Sequence, residues 1–431
     1  MGHTVSEPNR TSTLSRRAGM SSGQPIGRLM ALALKHPNLV SLAAGFVDND
    51  TLPCETTAAA LRRLADQPEL LRKALQYDMT AGSGILRANI AEWNYRRFPA
   101  GRPDPERMIV TAGSNQFLHL VAEALLDPGD IVLAAAPTYF VFMGTLKGVD
   151  ARIVGVSSDE FGMSIDALQE QLQRIAAAGD AHRVKLIYTV TDFDNPAGST
   201  LSLERREQLL EVVRRWRAEQ GPIHLLSDCA YQELRYEGED LPPLLALADD
   251  ASEFVIEAGT FSKSYSPGIR VGWGVVPESL APTLLEMKSN IDFGSPHFAQ
   301  VLMNDVLTSG EIDSHLPVIR AGYRVKLDAM LDALDAELGE TPDVVWHKPA
   351  GGLYVWLTLP EHIDASEGSP LWRCAMEQGV LYVPGYYCYP TEGEPIALNT
   401  IRLSFGVQNP AGIRLGIERL AAAIRQVAQT G

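Results

Sequence analysis

Short apolar runs alternate with helix-like segments along much of the chain, and this alternation restricts the possible folds more than any other feature. Between residues 107 and 194 the runs MIV, IVLAA, RIVGV and KLIYTV are separated by turns and by helical spacing, as from Phe117 to Leu125. Strands that alternate with helices form a mainly parallel sheet covered on both faces. We therefore predict an α/β fold, with a mainly parallel sheet sandwiched by helices.

Polar residues directly follow five of the apolar runs. In an open α/β sheet the ligand crevice lies beyond the carboxyl ends of the strands, so these segments should meet at one place. They are Gly113-Ser114-Asn115-Gln116, Pro137-Thr138-Tyr139, Asp194-Asn195-Pro196-Ala197-Gly198, Ser227-Asp228-Cys229-Ala230-Tyr231 and Thr260-Phe261-Ser262-Lys263. We expect a single site built from these five strand ends.

The chain changes character after Pro277, and a second domain is predicted there. The spacing of apolar residues predicts one helix over Thr51–Leu71 and a long one from about Ile319 to Leu338. A hairpin is predicted to turn at Ala350-Gly351-Gly352. The predicted organisation is an N-terminal tail and arm at residues 1–45, a large domain at 46–310 and a smaller α+β C-terminal domain at 311–431.

The composition disfavours several classes of partner. A net charge of −16 argues against nucleic acid and anionic membranes, and no apolar run reaches the roughly 18 residues of a membrane span. The polar first 25 residues lack the apolar segment of a secretory signal. The four cysteines and nine histidines show no metal-site spacing. We predict a cytoplasmic protein with reduced thiols and no metal.

Lys263 is the candidate nucleophile. It follows the buried run FVI, lies among small hydroxyl residues and precedes Arg270 by seven positions. Burial and a nearby cation both lower the pKa of a lysine, and such a lysine can form a Schiff base. On this stretch alone a solvated loop lysine is an equally good interpretation.

The other strand ends supply the groups that a pyridine-aldehyde phosphate cofactor requires. Asp228 could pair with the ring nitrogen, although an aspartate in an ordinary turn would give the same sequence pattern. Asn195 and Tyr231 could donate hydrogen bonds to the phenolic oxygen, and Tyr139 could stack on the ring unless it is a core tyrosine. Arg402, in an apolar strand, is costly to bury unless an anion such as a substrate carboxylate pairs with it.

A phosphate cradle is also predicted. Ser114 and Asn115 open a helix after a strand, where backbone N–H groups and the helix dipole favour an anion, although an ordinary N-cap has the same sequence. Ser262, Thr260 and Arg270 would complete the cradle. The cofactor that fits this whole set is pyridoxal 5'-phosphate.

With these motifs in one order, the chain resembles fold type I pyridoxal-phosphate aminotransferases of class I and II, and within them the α-aminoadipate and kynurenine aminotransferases. The matching motifs are Tyr77 in its glycine loop, GSNQ, PTY, YTVTDFDNPAG, SDCAYQELRY, TFSKSYSPGIRVGW, PAGGLYVW and IRLSFG. The resemblance implies that Lys263 holds the cofactor and shuttles a proton while an L-amino acid passes its amino group to a 2-oxo acid. It also implies a homodimer in which Tyr77 reaches the phosphate of the second subunit, and a substrate carboxylate held by Arg402 with Gly45 and Asn195.

The sequence departs from the family pattern at a few positions. Ala197 replaces the usual threonine, Asp194 replaces the glutamine of the subgroup, and Tyr386-Tyr387-Cys388-Tyr389 stands where a phenylalanine is common. Asp194 and the tyrosine segment would lie near the outer end of the substrate. They keep open a β- or γ-elimination, replacement or carbon–carbon bond-forming reaction on the same fold. A DNA-binding regulator is disfavoured, because the N-terminal segment is short and not basic enough.

Overall fold

Eight strands form the main sheet of the computed structural model, which describes residues 13–20, 23–36 and 38–430. The strands of the chain are β1 (Val40–Ser41), β2 (Met108–Thr111), β3 (Ile131–Ala136), β4 (Arg152–Asp159), β5 (Gly162–Met163), β6 (Val184–Val190), β7 (His224–Asp228), β8 (Val255–Thr260), β9 (Gly272–Val275), β10 (Val345–Trp346), β11 (Tyr354–Thr358), β12 (Val380–Leu381), β13 (Val383–Pro384) and β14 (Thr400–Ser404). The main sheet has the order β2-β9-β8-β7-β6-β3-β4-β5. The strands from β8 through β4 pair in parallel, and β9 and β5 pair antiparallel with their neighbours.

Helices cover both faces of this sheet. They are α1 (Arg16–Met20), α2 (Pro25–Lys35), α3 (Cys54–Ala65), α4 (Pro68–Ala74), α5 (Gly84–Asn94), α6 (Ser114–Leu125), α7 (Phe140–Gly148), α8 (Ile165–Ala177), α9 (Leu203–Glu219), α10 (Ala281–Asp292), α11 (His297–Thr308), α12 (Glu311–Leu338), α13 (Pro370–Gln378) and α14 (Pro410–Thr430). Every residue of β3 is buried, and its side chains alternate between two apolar clusters. Ile131 and Leu133 pack with α8 and α9, whereas Val132 and Ala134 pack with α6 and α7. The predicted α/β sandwich is confirmed.

A second sheet lies in the C-terminal part of the chain. Its order is β10-β11-β14-β13, and all three pairs are antiparallel. The predicted hairpin is present, because β10 and β11 pair on either side of the turn that contains Gly352, whose φ is +75°. Near the N-terminus, β1 pairs in parallel with β12, so this part of the predicted arm joins the C-terminal layer.

Helix boundaries differ from the predictions at two prolines. The helix predicted over Thr51–Leu71 is two helices, since α3 ends at Ala65 and Pro68 opens α4. Proline is favoured in the first turn of a helix, where it has no hydrogen bond to lose. The long helix begins at Glu311 instead of Ile319 and contains Pro317. The domain boundaries stay a prediction, and residues 1–12 of the predicted tail lie outside the described residues.

Candidate active site

One cavity lies at the carboxyl ends of the parallel strands. Asp228 is the last residue of β7 and Thr260 is the last residue of β8, and these neighbouring strands carry both side chains to the same edge. The reversed strand β9 starts at this edge, because Gly272 pairs with both Thr111 and Thr260. Eleven of the predicted site residues line the cavity: Gly45, Ser114, Asn115, Tyr139, Asn195, Asp228, Tyr231, Thr260, Ser262, Lys263 and Arg270.

Lys263 reaches into this cavity from the turn after β8. Its Nζ donates a hydrogen bond to the carbonyl oxygen of Gly45 at 2.9 Å and lies 5.9 Å from the centre of the Tyr231 ring. Burial lowers the pKa of the Lys263 amine; Tyr354 opposes this shift, whereas the charges of Arg402 and Arg270 add to it. A lowered pKa increases the fraction of neutral amine near pH 7, and the neutral amine is the nucleophilic form.

Asp228 contributes a buried carboxylate to the cavity lining. One carboxylate oxygen accepts a hydrogen bond from the Ala230 N–H at 3.1 Å, and the other accepts one from the Tyr188 hydroxyl at 3.1 Å. Burial raises the pKa of Asp228 to about 6. No lysine, arginine or histidine of the described residues forms an ion pair with it. A carboxylate that is buried without a cation favours a ligand that brings one.

The start of α6 and Arg270 form a corner suited to a phosphate. Gly113 has a φ of +83° and directly precedes the helix, and a Cβ at this position would overlap the guanidinium of Arg270. Arg270 has a left-handed φ of +54° and donates to the carbonyl oxygens of Ala112 (2.9 Å) and Pro267 (3.2 Å). No carboxylate of the described residues pairs with it. Free N–H groups at a helix start, together with an unpaired guanidinium, favour an anion.

Three hydroxyl groups border the same corner. The Thr260 hydroxyl donates to the Ser262 hydroxyl at 2.9 Å and accepts from the Ser262 N–H at 3.1 Å. The Tyr139 hydroxyl, from the segment after β3, donates to the side-chain oxygen of Asn115 at 3.4 Å. Hydroxyl groups can donate to phosphate oxygens when they rotate, so the corner offers further donors beside the helix start.

Arg402 lies behind Asn195 and does not line the cavity. It is 2% exposed in β14, and its guanidinium donates to the side-chain oxygen of Asn195 at 2.9 Å and to the Ala43 carbonyl at 2.8 Å. The Nε atom has no hydrogen-bond partner among the described residues. The guanidinium carbon lies 4.4 Å from the centre of the Tyr354 ring. Arg402 is thus held by neutral groups, and it forms no ion pair with a carboxylate of the described residues.

Tyr77 is the one predicted cofactor residue that lies away from the cavity. Its side chain is 78% exposed and packs edge-on against Phe293, with ring centres 5.6 Å apart. Leu75, Met79 and Ile85 are also more than two-thirds exposed nearby in the sequence. Within this single chain Tyr77 belongs to an exposed apolar surface.

Sequence reasoning missed two tyrosines of the site. Tyr188 holds Asp228 from the neighbouring strand β6, and the Tyr354 hydroxyl lies 3.4 Å from the Tyr231 hydroxyl. A Cβ on Gly45 would lie 2.7 Å from the Tyr354 hydroxyl, so the glycine allows this close approach. A phenol inside an apolar strand is the signal that could have found Tyr188, because a buried hydroxyl needs a partner.

The departures from the family pattern do not line the cavity. Asp194 is 6% exposed, and one of its carboxyl oxygens has no hydrogen-bond partner among the described residues. Burial, and then the neighbouring charge of Asp228, raise the pKa of Asp194. In the tyrosine segment, the Tyr387 hydroxyl contacts Arg28 and Glu367. Neither feature therefore belongs to the cavity lining that the described residues form.

Fold and site together define a pyridoxal-phosphate enzyme of fold type I. The sequence model for aminotransferase class I and II matches residues 37–420, and the chain belongs to this family. It is an aminotransferase that uses pyridoxal 5'-phosphate. The residues that would hold the cofactor fit it: an uncompensated carboxylate, a partly buried amine with a lowered pKa and an anion corner surround one cavity.

Relatives and solved structures agree with this assignment. The chain is 36% identical to aromatic-amino-acid aminotransferase 1 of Thermococcus litoralis, covering 90% of this chain and 88% of the relative. It is 35% identical to 2-aminoadipate transaminase of Thermus thermophilus, covering 95% of each. The crystal structure of Pyrococcus horikoshii kynurenine aminotransferase superposes with a TM-score of 0.88 at 32% identity, covering 96% of this chain and 97% of that one.

Two further observations concern the described residues as a whole. None of their helices combines the length and the apolar character that crossing a bilayer requires. All four cysteines are free thiols, and three of them are buried.

Proposed function

We propose that this aminotransferase holds its cofactor on Lys263 and receives the α-carboxylate of an L-amino acid at Arg402 and Asn195. The observation that supports the proposal is a set of charges around one cavity that have no partners of opposite charge. Asp228 has no cationic partner, and Arg270 and Arg402 have no carboxylate partners, among the residues that the structure describes. A ligand with one cation and two anions would compensate all three charges, and the cofactor with its amino acid substrate has this pattern.

The bound cofactor supplies an aldehyde that takes up the amino group and a ring that withdraws electrons from the substrate Cα. Asp228 would hold the protonated ring nitrogen, fixed in place by Tyr188 and the Ala230 N–H. Asn195 and Tyr231, whose side chains lie 3.4 Å apart, would donate to the phenolic oxygen. Tyr139 would cover one face of the ring.

Lys263 would then act as the proton carrier. Its amine is mostly desolvated and has a lowered pKa, so it can accept a proton at Nζ near neutral pH and return it to a neighbouring carbon. The Gly45 carbonyl accepts from Nζ in the resting arrangement and keeps the amine on this side of the cavity. Ser114, Asn115, Thr260, Ser262 and Arg270 would hold the phosphate, with the contacts already described for that corner.

The substrate is proposed to be an amino acid with a large, partly apolar side chain. Phe46 and Val47 line the cavity mouth beside Gly45, and Phe46 is 51% exposed. Among the described residues, Arg270 is the only arginine on the lining of this cavity, and the phosphate would occupy it. This part of the chain therefore offers no second guanidinium on the lining for a side-chain carboxylate. The relatives named for aromatic amino acids and kynurenine favour the same class of donor.

A homodimer is proposed as the working unit. The exposed Tyr77 and Phe293 form an apolar surface that a second copy could cover, and this would bring Tyr77 of the partner subunit to a phosphate corner. The molar mass by light scattering should be near twice that of the 46.9 kDa chain. Location in the cytoplasm stays a prediction, and the free cysteines support it.

Absorbance spectroscopy tests the catalytic proposal. The cofactor-loaded protein should show a visible band that bleaches when an aromatic L-amino acid is added without an acceptor. A 2-oxo acid should then restore the band, and mass spectrometry should find one 2-oxo product for each amino acid consumed. Release of ammonia and the β- or γ-substituent, together with a 2-oxo acid that lacks this substituent, would indicate elimination. A band that survives unchanged in Lys263→Ala would refute the assignment of Lys263.

A further inference from the structure

Residues 42–48 form a strap along one edge of the cavity. Its residues Gly45, Phe46 and Val47 line the cavity wall. Its backbone also restrains two cations, because the Gly45 carbonyl accepts from Lys263 Nζ at 2.9 Å and the Ala43 carbonyl accepts from Arg402 at 2.8 Å. The position of the strap thus determines where both cations lie.

A buried ion pair holds the C-terminal end of the strap. Asp48 and Lys326 lie 2.8 Å apart, and their side chains are 5% and 6% exposed. Lys326 also donates to the Gly406 carbonyl at 3.1 Å, and the Asp48 N–H donates to the Tyr323 hydroxyl at 2.9 Å. Lys326 and Tyr323 both belong to α12, so this helix anchors the strap through a charge and a phenol.

The rest of the strap fits closely against the second sheet and α12. At its N-terminal end, the Leu42 carbonyl accepts from the Ser404 N–H at 2.7 Å. A Cβ on Gly406 would overlap the Phe46 carbonyl. On the other side, a Cβ on Gly322 of α12 would lie 3.6 Å from a carboxylate oxygen of Asp48 and 2.8 Å from the methyl group of Thr51, just beyond the strap. The strap is therefore fixed at both ends, and Gly406 allows its close approach to the chain after β14.

A buried ion pair is not by itself a source of stability, because desolvation of the two charges offsets their attraction. Two apolar side chains of similar volume would fill the same space without a directional contact. The ion pair, by contrast, fixes one position of Asp48 against α12. We infer that the Asp48–Lys326 pair is a positioning device for the active site, setting the strap so that the Ala43 and Gly45 carbonyls restrain Arg402 and Lys263. The roles of those two cations rest on the proposed function.

The test replaces both partners at once, because removal of only one leaves an unpaired buried charge. In the double variant Asp48→Asn with Lys326→Met, amides of residues 42–48 should exchange hydrogen at least about tenfold faster than in the wild type, measured by mass spectrometry without cofactor. In the loaded enzyme, kcat/KM for an amino donor should fall about tenfold to 100-fold, since displacement by about 1 Å can have this effect. The visible band of the bound cofactor should titrate with a changed pKa.

Arg63→Met is the matched control. Arg63 also joins α12 to another element through an ion pair, with Glu311 at 2.6 Å, but it touches neither the strap nor the cavity. This variant should leave both the exchange of residues 42–48 and the titration of the visible band unchanged. If the double variant does not fold, Asp48→Asn alone tests the same contact. It keeps a side-chain oxygen facing Lys326 but leaves the amine without a counter-charge, so residues 42–48 should exchange at least as fast as expected for the double variant.

Unchanged exchange in residues 42–48 would overturn the inference, as would equal acceleration in the Arg63 control. The hydrogen-exchange measurement needs no cofactor or substrate. Faster exchange in a protein that transfers no amino group would therefore contradict the proposed function while supporting the anchoring of the strap.

Discussion

Asp228 should reduce the stability of the cofactor-free protein, and its replacement by asparagine should relieve this effect. Burial raises the pKa of Asp228 from 3.8 to about 6. At about 1.4 kcal/mol per pKa unit, keeping this carboxylate ionised in the folded state costs about 3 kcal/mol. Asparagine has almost the same shape as aspartate. Its side-chain oxygen can accept a hydrogen bond from the Ala230 N–H. Its side-chain NH2 group can donate one to the Tyr188 hydroxyl after that hydroxyl rotates.

The pH dependence has a definite sign. Between pH 3.8 and about 6 the folded state binds more protons at Asp228 than the unfolded state does, so the stability of the wild type falls as the pH rises through this window. Above about pH 6 the ionised carboxylate destabilises the folded state by the full amount. The advantage of Asp228→Asn should therefore be about 3 kcal/mol at pH 7.5 and about half of that at pH 5.

Thermal unfolding of the cofactor-free proteins measures this difference. With an unfolding entropy of about 0.9 kcal/mol/K for 431 residues, 3 kcal/mol corresponds to a rise in Tm of about 3 °C. Asp332→Asn, an exposed carboxylate on α12, is the control and should show no such pH-dependent gain. Saturating cofactor should stabilise the wild type more than Asp228→Asn, because only the carboxylate can pair with a protonated ring nitrogen. A variant less stable than the wild type at both pH values would refute the reasoning.

Three further substitutions address the remaining parts of the site. Lys263→Ala should remove the visible band of the bound cofactor and lower the rate of amino transfer by at least about 10³-fold, measured by product formation. Arg402→Gln should raise KM for the amino donor about 10- to 100-fold in steady-state kinetics, since a hydrogen bond to a charged group contributes about 1.5 to 3 kcal/mol. Gly113→Ala should weaken cofactor binding at least about tenfold by equilibrium dialysis, because φ is +83° there and the new Cβ would displace Arg270. No loss of affinity in this last variant would argue against the phosphate corner.

The sequence predicted that these residues meet because the polar residues that follow the apolar runs lie at the strand ends or just beyond them. Asp228 and Thr260 are the last residues of β7 and β8, and Lys263 lies in the turn that follows. The rule that ligands bind beyond the carboxyl ends of parallel strands then brings these residues together without any knowledge of long-range contacts. Local sequence carries this information because an apolar run marks the buried part of a strand, so the polar residues after it lie near the strand's carboxyl end.

Other contacts depend on packing between distant segments and could not be predicted. Tyr188 was recognised as part of an apolar run, but its hydrogen bond to Asp228 follows only from the register between β6 and β7. The ion pair between Asp48 and Lys326 joins residues far apart in the chain, and each residue alone resembles an ordinary surface charge. Arg402 could be identified from the apolar residues around it in the sequence. Its position behind Asn195 could not be predicted, because it depends on how the second sheet packs.

The arrangement of neutral partners explains how opposite charges coexist around one small cavity without cancelling each other. If Arg402 paired directly with Asp228, neither charge would be available to a ligand, and binding would first have to break a buried ion pair. Instead, Arg402 is held by an amide and a carbonyl, and Asp228 is held by a phenol and a backbone N–H. These neutral groups satisfy the hydrogen bonds and fix the geometry but leave the charges uncompensated. In the function proposed above, the electrostatic attraction would thereby be retained for the cofactor and the substrate, as preorganised charge stabilisation requires.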